Sequence, residues 1–491
     1  MARLIGVEPR NTLEDYAGIV HLIEAVNQYR QLADRVAPRL AGRTLWMVNS
    51  TEKGGGVAEM LPAMVTLLRD VGIATEWVVI ESDDPAFFAL TKRIHNLIHG
   101  AGDPQLGPAD RELFEAVNRA NAEQLRAFVH PGDIVAVHDP QPMPLAAQLR
   151  ESMELRTIWR CHIGLDEENA ATRAAWSFLE PFAGAYDRAI FSAPEYVPEY
   201  LLDRAVIIHP AIDPLSEKNQ DLALHKLIGV LVNSALLVSP GPVLTPPYRH
   251  LAQRMLPDGS FAPASLQEDI GVLTRPIVTQ VSRWDRLKGF MPLLEAFVEL
   301  KRRIHDGRDA ARLDPVNRRR LDLVRLLLVG PDPGSVADDP EGREVIAELR
   351  DAFTSIDPAI QDDIALITLP MAVPCENALM VNALQRASTI LVQNSLREGF
   401  GLTVTEAMWK RVPILSNSQA VGPRYQVRDG LDGRLIHDPQ DTGELATALN
   451  VMLADSRARA VWGQMAQRRV HDRFLVFSQL QGWLQLLADL V

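Results

Sequence analysis

The chain has 491 residues, a formal net charge of −13, 47% apolar and 23% charged residues. This is the balance of a soluble globular protein with core enough for two or three domains. Its acidity excludes nucleic-acid binding by bulk charge, so any phosphate site has to be a local cluster of Arg, Lys or backbone N–H groups. The longest apolar patch, residues 227–238, contains Asn233 and Ser234 and is too short to cross a bilayer. Cys161 and Cys375 carry neither metal-ligand spacing nor a disulfide framework. The first ten residues have no long apolar run and no cleavage pattern, so we expect no signal peptide and a reducing, cytoplasmic setting.

Residues 13–40 read as an amphipathic helix that ends near Pro38 and Gly42. Residues 44–48 form a short buried strand, followed by a glycine-rich loop, Lys53-Gly-Gly-Gly56, and a helix over 57–71 with Met60, Leu61, Met64 and Leu68 on one face. Strands follow at 75–80, 134–137, 157–159, 188–191 and 205–208, with helical segments between them. That alternation predicts a parallel, doubly wound sheet. Residues 239–263 then hold six prolines and read as an irregular insertion, flanked by a helix over 222–238. The alternation resumes with strands at 277–281, 326–329, 364–367, 390–392 and 412–415. In the last segment Leu480, Trp483, Leu484, Leu487 and Leu490 share one helical face. We therefore expect an N-terminal domain over 1–215, an insertion or linker over 216–271, a C-terminal domain over 272–470 and a final helix over 471–491. Doubly wound sheets bind ligands beyond the carboxyl ends of their strands, where most of the polar motifs of this chain fall.

Residues 394–409 read Asn-Ser-Leu-Arg-Glu-Gly-Phe-Gly-Leu-Thr-Val-Thr-Glu-Ala-Met-Trp and follow an apolar strand. Gly399 and Gly401 permit a tight turn and close approach to the backbone, and a helix starts near Leu402, where free N–H groups attract anions. Glu398 and Glu406 bracket that turn. A carboxylate accepts two hydrogen bonds from a vicinal diol, which suits sugar hydroxyls better than phosphate. A lone Glu-x7-Glu pair is ordinarily a loop acid and a solvated helix acid; here it comes with a strand, a glycine turn and a helix. Arg283 and Lys288 follow another strand and offer a fork and a point charge to a diphosphate, although a pair of surface cations reads the same way by itself. The loop at 53–56 lacks both the Gly-x-Gly-x-x-Gly pattern and the Lys-Ser/Thr of a P-loop, which disfavours a dinucleotide cofactor or ATP hydrolysis.

The 394–409 stretch resembles the donor-site motif of retaining glycosyltransferases of the GT-B fold (glycosyltransferase family 4), in the glycogen-synthase-like and sucrose-synthase-like group. A narrower resemblance, to the trehalose glycosyltransferring synthase family, rests on Asn49-Ser-Thr, Gly-Gly-Gly-Val-Ala-Glu59, Phe87-Phe-Ala-Leu-Thr-Lys-Arg-Ile-His-Asn96, His138-Asp-Pro-Gln-Pro142, Trp159-Arg-Cys-His162 and Ile212-Asp-Pro-Leu-Ser-Glu-Lys-Asn219. It covers most of the chain outside the insertion. It implies an α/β fold of two facing Rossmann-like domains with a cleft between them, and a final helix that crosses back to the first domain.

For function the resemblance implies glucose transfer from a nucleoside-diphosphate glucose to free glucose, forming trehalose reversibly. Its site residues map onto Glu398, His162, Arg283 and Lys288 as catalytic groups. The donor set comprises Gly55, Gly56, Arg283, Lys288, Glu398, Gly399, Phe400, Gly401, Leu402, Thr403 and Glu406, with Glu398 by the donor sugar and Glu406 on the ribose. Lys92, His95 and Asn96, at spacings of three and four on one candidate helix, join Asp139 and Gln141 on the acceptor side. No cofactor is required and no protein metal site is read; a divalent cation with the donor stays open, as does a homodimer. Partners are a nucleotide-sugar donor and a small sugar acceptor, with no nucleic acid and no membrane. Open alternatives are a retaining trehalose phosphorylase, a non-catalytic sugar-nucleotide-binding regulator and a nucleotide-sugar epimerase. Two departures are visible: the insertion is long for the family, and Gln419-Ala-Val-Gly-Pro-Arg-Tyr-Gln426 stands where many relatives carry Gly-Gly-Ile. Pro423 and Arg424 there bear on sugar and nucleotide identity, and the base stays open near Thr368 and Leu369.

Overall fold

Short runs rich in Val, Ile and Leu, buried on both faces, form the central strands of two sheets. The computed structural model describes residues 2–491 apart from 9, 53–55, 240, 267–268, 307–313 and 335–339. The chain divides into one unit of Met1–Asp213 with Asp472–Val491 and a second of Pro214–His471.

The first unit holds β1 (Arg3–Ile5), β2 (Leu45–Asn49), β3 (Thr75–Val79), β4 (Ile134–His138), β5 (Arg156–Arg160), β6 (Arg188–Phe191) and β7 (Ala205–Ile207). They lie in the order β1-β3-β2-β4-β5-β6-β7, all parallel except β1, which runs antiparallel to β3. The strand order reverses between β2 and β4, so the crevice that such a sheet offers a ligand opens beyond Asn49 and His138. The helix Pro85–Ile98 shows how local chemistry places side chains. The Asp84 carboxylate caps it by accepting the Ala86 N–H, Pro85 occupies its first position, and Phe87, Leu90, Ile94 and Leu97 are buried. Lys92 and Asn96 are thereby left exposed and His95 half-buried. The final helix, Val476–Leu490, belongs to this unit. It buries Leu480, Trp483, Leu484, Leu487 and Leu490, and its Phe477 meets Tyr16 edge-on at 5.2 Å.

The second unit holds β8 (Gln253–Met255), β9 (Phe261–Pro263), β10 (Ile277–Val281), β11 (Arg325–Pro331), β12 (Ile364–Leu369), β13 (Ile390–Val392), β14 (Ile414–Asn417) and β15 (Gly433–Ile436). The order is β15-β14-β13-β10-β11-β12-β8-β9, parallel from β15 to β12, with β8 and β9 added antiparallel. Its reversal lies between β10 and β13. One apolar cluster around Phe297, Leu326, Leu328 and Leu449 and another around Ile277, Leu327, Ile367 and Met380 pack its two faces.

The α/β fold class and its two doubly wound sheets stand as expected. Several details differ. The single helix expected over 13–40 is divided into Leu13–Ala17 and Ile23–Val36, with tight turns of Val20–Leu22 and Ala37–Leu40 beside the second. Residues 216–271, expected as an insertion or linker, are part of the second unit. Their helix, Leu224–Asn233, buries Val230 and Leu231 in the cluster that holds Met380 and Leu384, while Pro257 separates β8 from β9 and Pro263 ends β9, the two strands extending the sheet edge. Strands β1 and β15 carry Arg and Gly among few apolar residues and show too little alternation to be read in advance.

Candidate functional site

In the first unit β4 and β5 run side by side with His138 opposite Arg160. The chain then turns at Asp139, whose φ of 63° is one of three positive values among the described non-glycine residues. The turn is held from three sides. Asp139 N–H donates to the Arg160 carbonyl at 2.8 Å, its Oδ1 accepts the His162 N–H at 2.9 Å, and Trp159 Nε1 donates to its carbonyl at 2.9 Å. His138 Nδ1 lies 3.1 Å from His162 Nε2, with the two rings nearly parallel and their centroids 5.4 Å apart, and the Trp483 ring lies 6.1 Å from that of His138. One ring donates to the other, so at least the accepting ring is neutral. Burial, then the Arg160 charge, pushes His138 down to about 3. His162 is likewise held well below its ordinary value by burial, Arg160 and His138. Burial pushes Asp139 up to about 6, against the hydrogen bond from His162 and the nearby Arg160. Arg160 is fully buried, with its Nε and Nη1 atoms unpaired and its Nη2 3.5 Å from Ser192 Oγ.

The structure thus brings His162 and Asp139 together at adjacent strand ends. Gln141 follows, half-buried, its carbonyl accepting from Asn118 Nδ2 at 3.1 Å. Lys92, His95 and Asn96 share the helix Pro85–Ile98, and His95 stacks near His99 at 4.8 Å. Gly56 opens the helix Gly56–Asp70, whereas Gly55 lies outside the described residues. Arg160 and His138 belong to this cluster on geometry alone. Their signal in the sequence was a charged or polar side chain at the end of a strand buried on both faces.

In the second unit β10 delivers Arg283 and Lys288, and β13 delivers Asn394 to Glu398, both at the point of reversal. Gln280, fully buried, ties the two loops: its Nε2 donates to the Lys288 carbonyl at 2.7 Å and its Oε1 accepts the Asn394 N–H at 3.0 Å. Asn394 Nδ2 donates to the Gly289 and Pro439 carbonyls, and Leu396 N–H to the Leu287 carbonyl at 2.8 Å. On this frame Lys288 Nζ meets Glu398 Oε2 at 2.7 Å, both side chains about seven-eighths buried. Gln393 Nε2 and Ser395 Oγ stand 3.3 Å from the same oxygen. Arg283 is different: its side chain is 72% exposed and its nearest acid is Asp285, at 3.8 Å.

Gly401, at φ 80°, turns the chain into the helix Leu402–Trp409 and faces Glu398, whose Cγ would lie 3.0 Å from an added Cβ. Leu402 and Thr403 begin that helix, half-buried, and Gly399 and the buried Phe400 precede them. The departure at 419–426 braces this turn. Gly422 packs directly on the Phe400 backbone, and Gln426 Nε2 donates to the Phe400 and Gly401 carbonyls. Pro423 and Arg424 lie in the short helix Val421–Gln426, with Arg424 Nη1 donating to the Ser418 carbonyl at 3.0 Å.

Glu406, on the same helix as Leu402 and Thr403, is nearly buried. Gln385 Nε2 donates to its Oε2 at 3.1 Å, and Lys218 Nζ lies 3.8 Å from its Oε1. Lys410, also buried one turn on, donates to the Glu406 carbonyl at 3.1 Å and to Asn219 Oδ1 at 3.2 Å. Burial pushes Lys410 down to about 7, the Glu406 charge opposing. Gln280, Gln385, Lys218 and Lys410 were not foreseen; only the glutamine inside the apolar run Ile-Val-Thr-Gln-Val was conspicuous. Among the described residues no group of three or more His, Cys, Asp or Glu side chains is arranged to hold a metal ion, and no helix is long and apolar enough to cross a membrane.

Comparison with known proteins adds to this geometry. Residues 47–198 match the family pattern described as "Trehalose synthase, N-terminal domain", and residues 377–469 match "Glycosyl transferases group 1". The chain is 34% identical over 490 residues to a trehalose synthase of Pyrococcus horikoshii, covering 98% of this chain and 97% of that one. It is 24% identical over 506 residues to a trehalose phosphorylase of Pleurotus pulmonarius, covering 96% of this chain and 62% of the relative. Its fold is similar to that of a UDP-forming α,α-trehalose-phosphate synthase from Burkholderia xenovorans, a GT-B protein. There the TM-score is 0.63 at 15% identity, over 91% of this chain and all of that one.

Proposed function

The chain belongs to the trehalose synthase family of GT-B glycosyltransferases, and on that premise we propose that it moves glucose from a nucleoside-diphosphate glucose to free glucose. The product is trehalose, the configuration at the donor carbon is retained, and the reaction runs in both directions. The observation that carries the reading is the Lys288–Glu398 pair, held at 2.7 Å at the reversal of the second sheet, beside the start of a helix.

The chemistry follows from charge. As the glycosidic C–O bond of the donor breaks, negative charge grows on the diphosphate and positive charge on the sugar. Lys288, Arg283 and the first N–H groups of the Leu402–Trp409 helix, at Leu402 and Thr403, stabilise the departing diphosphate. Glu398 lies by the donor sugar and holds Lys288 in place. Gly399, Phe400 and Gly401 shape the turn, and Glu406 accepts ribose hydroxyls. In the first unit we assign His162, with Gly55 and Gly56, to the reacting sugar, and Lys92, His95, Asn96, Asp139 and Gln141 to the acceptor. The leaving phosphate takes the acceptor's proton, so no carboxylate need act as a covalent nucleophile, unlike the paired acids of retaining glycosidases. Rate enhancement then comes from positioning and electrostatic stabilisation.

The test is a product assay: purified protein, free glucose and a panel of nucleoside-diphosphate glucoses. Trehalose and free nucleoside diphosphate are expected with at least one donor. A phosphorylase reading is the second candidate, supported by the phosphorylase relative and by cations that serve inorganic phosphate equally well. It takes over if trehalose is split only when inorganic phosphate is added.

A further inference from the structure

The segment Ser216 to Asp221 carries a motif that the transfer chemistry leaves unused, and the structure stitches it to the helices around Glu406. Asn382 Nδ2 donates to the Glu217 and Gln220 carbonyls at 2.9 Å each. Arg386 binds the Gln220 carbonyl and Asp221, and Asn219 accepts from the buried Lys410. This many anchors on a short irregular segment fix the Lys218 side chain, which is only one-quarter exposed, with its ammonium 3.8 Å from Glu406 Oε1.

That separation is informative. A direct ammonium–carboxylate hydrogen bond closes at about 2.8 Å. A hydroxyl oxygen placed about 2.7 Å from Oε1 and about 2.9 Å from Nζ closes a triangle whose third side is the 3.8 Å observed. Such a hydroxyl donates to the carboxylate and accepts from the ammonium at once, which a hydroxyl's inventory allows. Glu406 Oε2 is already engaged by Gln385, so the Lys218-facing oxygen is the one left for this bridge.

We propose that Lys218 is a donor-binding residue that, with Glu406, brackets one ribose hydroxyl of the nucleotide and so selects ribonucleotide over deoxyribonucleotide. This rests on the reading that Glu406 serves the ribose of a nucleotide donor. Glu406 alone reads a hydroxyl only as a hydrogen donor; the ammonium adds the complementary check that the same atom accepts.

The test uses the full-length protein and calorimetric titration with a nucleoside diphosphate and its 2′-deoxy and 3′-deoxy forms, for wild type and Lys218→Met. With the ribonucleotide, Lys218→Met binds about ten-fold more weakly, and its thermal midpoint stays within a few degrees of wild type. With the deoxy form that lacks the bracketed hydroxyl, the two proteins bind within about two-fold of each other. An unchanged ribonucleotide affinity overturns the proposal. So does an equal loss for all three nucleotides, which would make Lys218 a long-range attractor of the diphosphate. A wild type that forms trehalose from a nucleotide sugar yet binds ribo and deoxy forms alike overturns this inference only. A wild type that binds no nucleoside diphosphate overturns the functional reading and this inference together.

Discussion

Lys288 and Glu398 arrive on loops from two strands more than a hundred residues apart in sequence, yet their charged atoms meet at 2.7 Å. The contact compensates both charges in a largely buried setting; on the proposed function, a cation stands at the place of the donor sugar before the nucleotide sugar arrives. Arg283, mostly solvated, has no such confinement. The two cations therefore differ in setting, and the proposed function predicts unequal effects.

Lys288→Ala should lower kcat for trehalose formation about a hundred-fold or more, because a charge aimed at the leaving group in a water-poor setting is lost. Arg283→Ala should cost less, about ten-fold, because solvent screens it. Steady-state kinetics on both variants, with thermal melts to verify folding, check the ranking. Equal losses, or normal turnover by both, would count against the assignment.

Gln280 acts at one remove. Replacing it by Leu leaves the Lys288 carbonyl and the Asn394 N–H without their buried partner, a cost of about 2 kcal/mol in stability. Both loops then loosen, so kcat should fall about ten-fold while the KM for free glucose stays near wild type.

Gly422 packs so closely on Phe400 that an added Cβ would lie 2.3 Å from its Cα and carbonyl oxygen. Gly422→Ala must push the Phe400–Gly401 turn away. We expect a several-fold rise in the KM for the nucleotide sugar and about 1–3 kcal/mol lost stability, read by kinetics and by denaturant melts.

Stability should fall on acidification, and the sign follows from three groups. His138 and His162 have folded values below the ordinary 6.5, so the unfolded chain binds their protons first and stability is lost as pH drops below that point. Asp139, raised from 3.8 to about 6, binds its proton first in the folded state and offsets one of the two. Two histidines against one carboxyl leave a net loss of stability as pH falls below about 6, at most one proton, or about 1.4 kcal/mol per pH unit, from this cluster. Asp139→Asn removes the offset and should steepen the acid slope toward two protons. Urea melts at pH 4.5, 5.5 and 6.5 give the slopes.

Much of this was legible in advance because it depends on local pattern. Apolar runs of strand length alternating with amphipathic helices predicted both doubly wound sheets, and the five apolar positions of the last helix are all buried. Glu398, Gly401 and the helix start were legible because a glycine turn between a strand and a helix leaves a compositional trace. The strands β8 and β9 were hidden among prolines, which are tolerated at a sheet edge but obscure the alternation that marks a strand.

Local residue patterns were enough for the class of fold, the stretches that end at the carboxyl edge of each sheet, and the acidic and cationic side chains that line them. Which of those groups are paired emerges from the packed fold. It set Lys288 against Glu398, Lys218 near Glu406, His138 against His162, and buried Gln280 between two loops. The reason is physical. Strand and helix formation respond to the period of neighbouring residues, whereas a charge's partner and burial depend on strand order in the sheet, which brings β10 beside β13 and β4 beside β5 from distant parts of the chain.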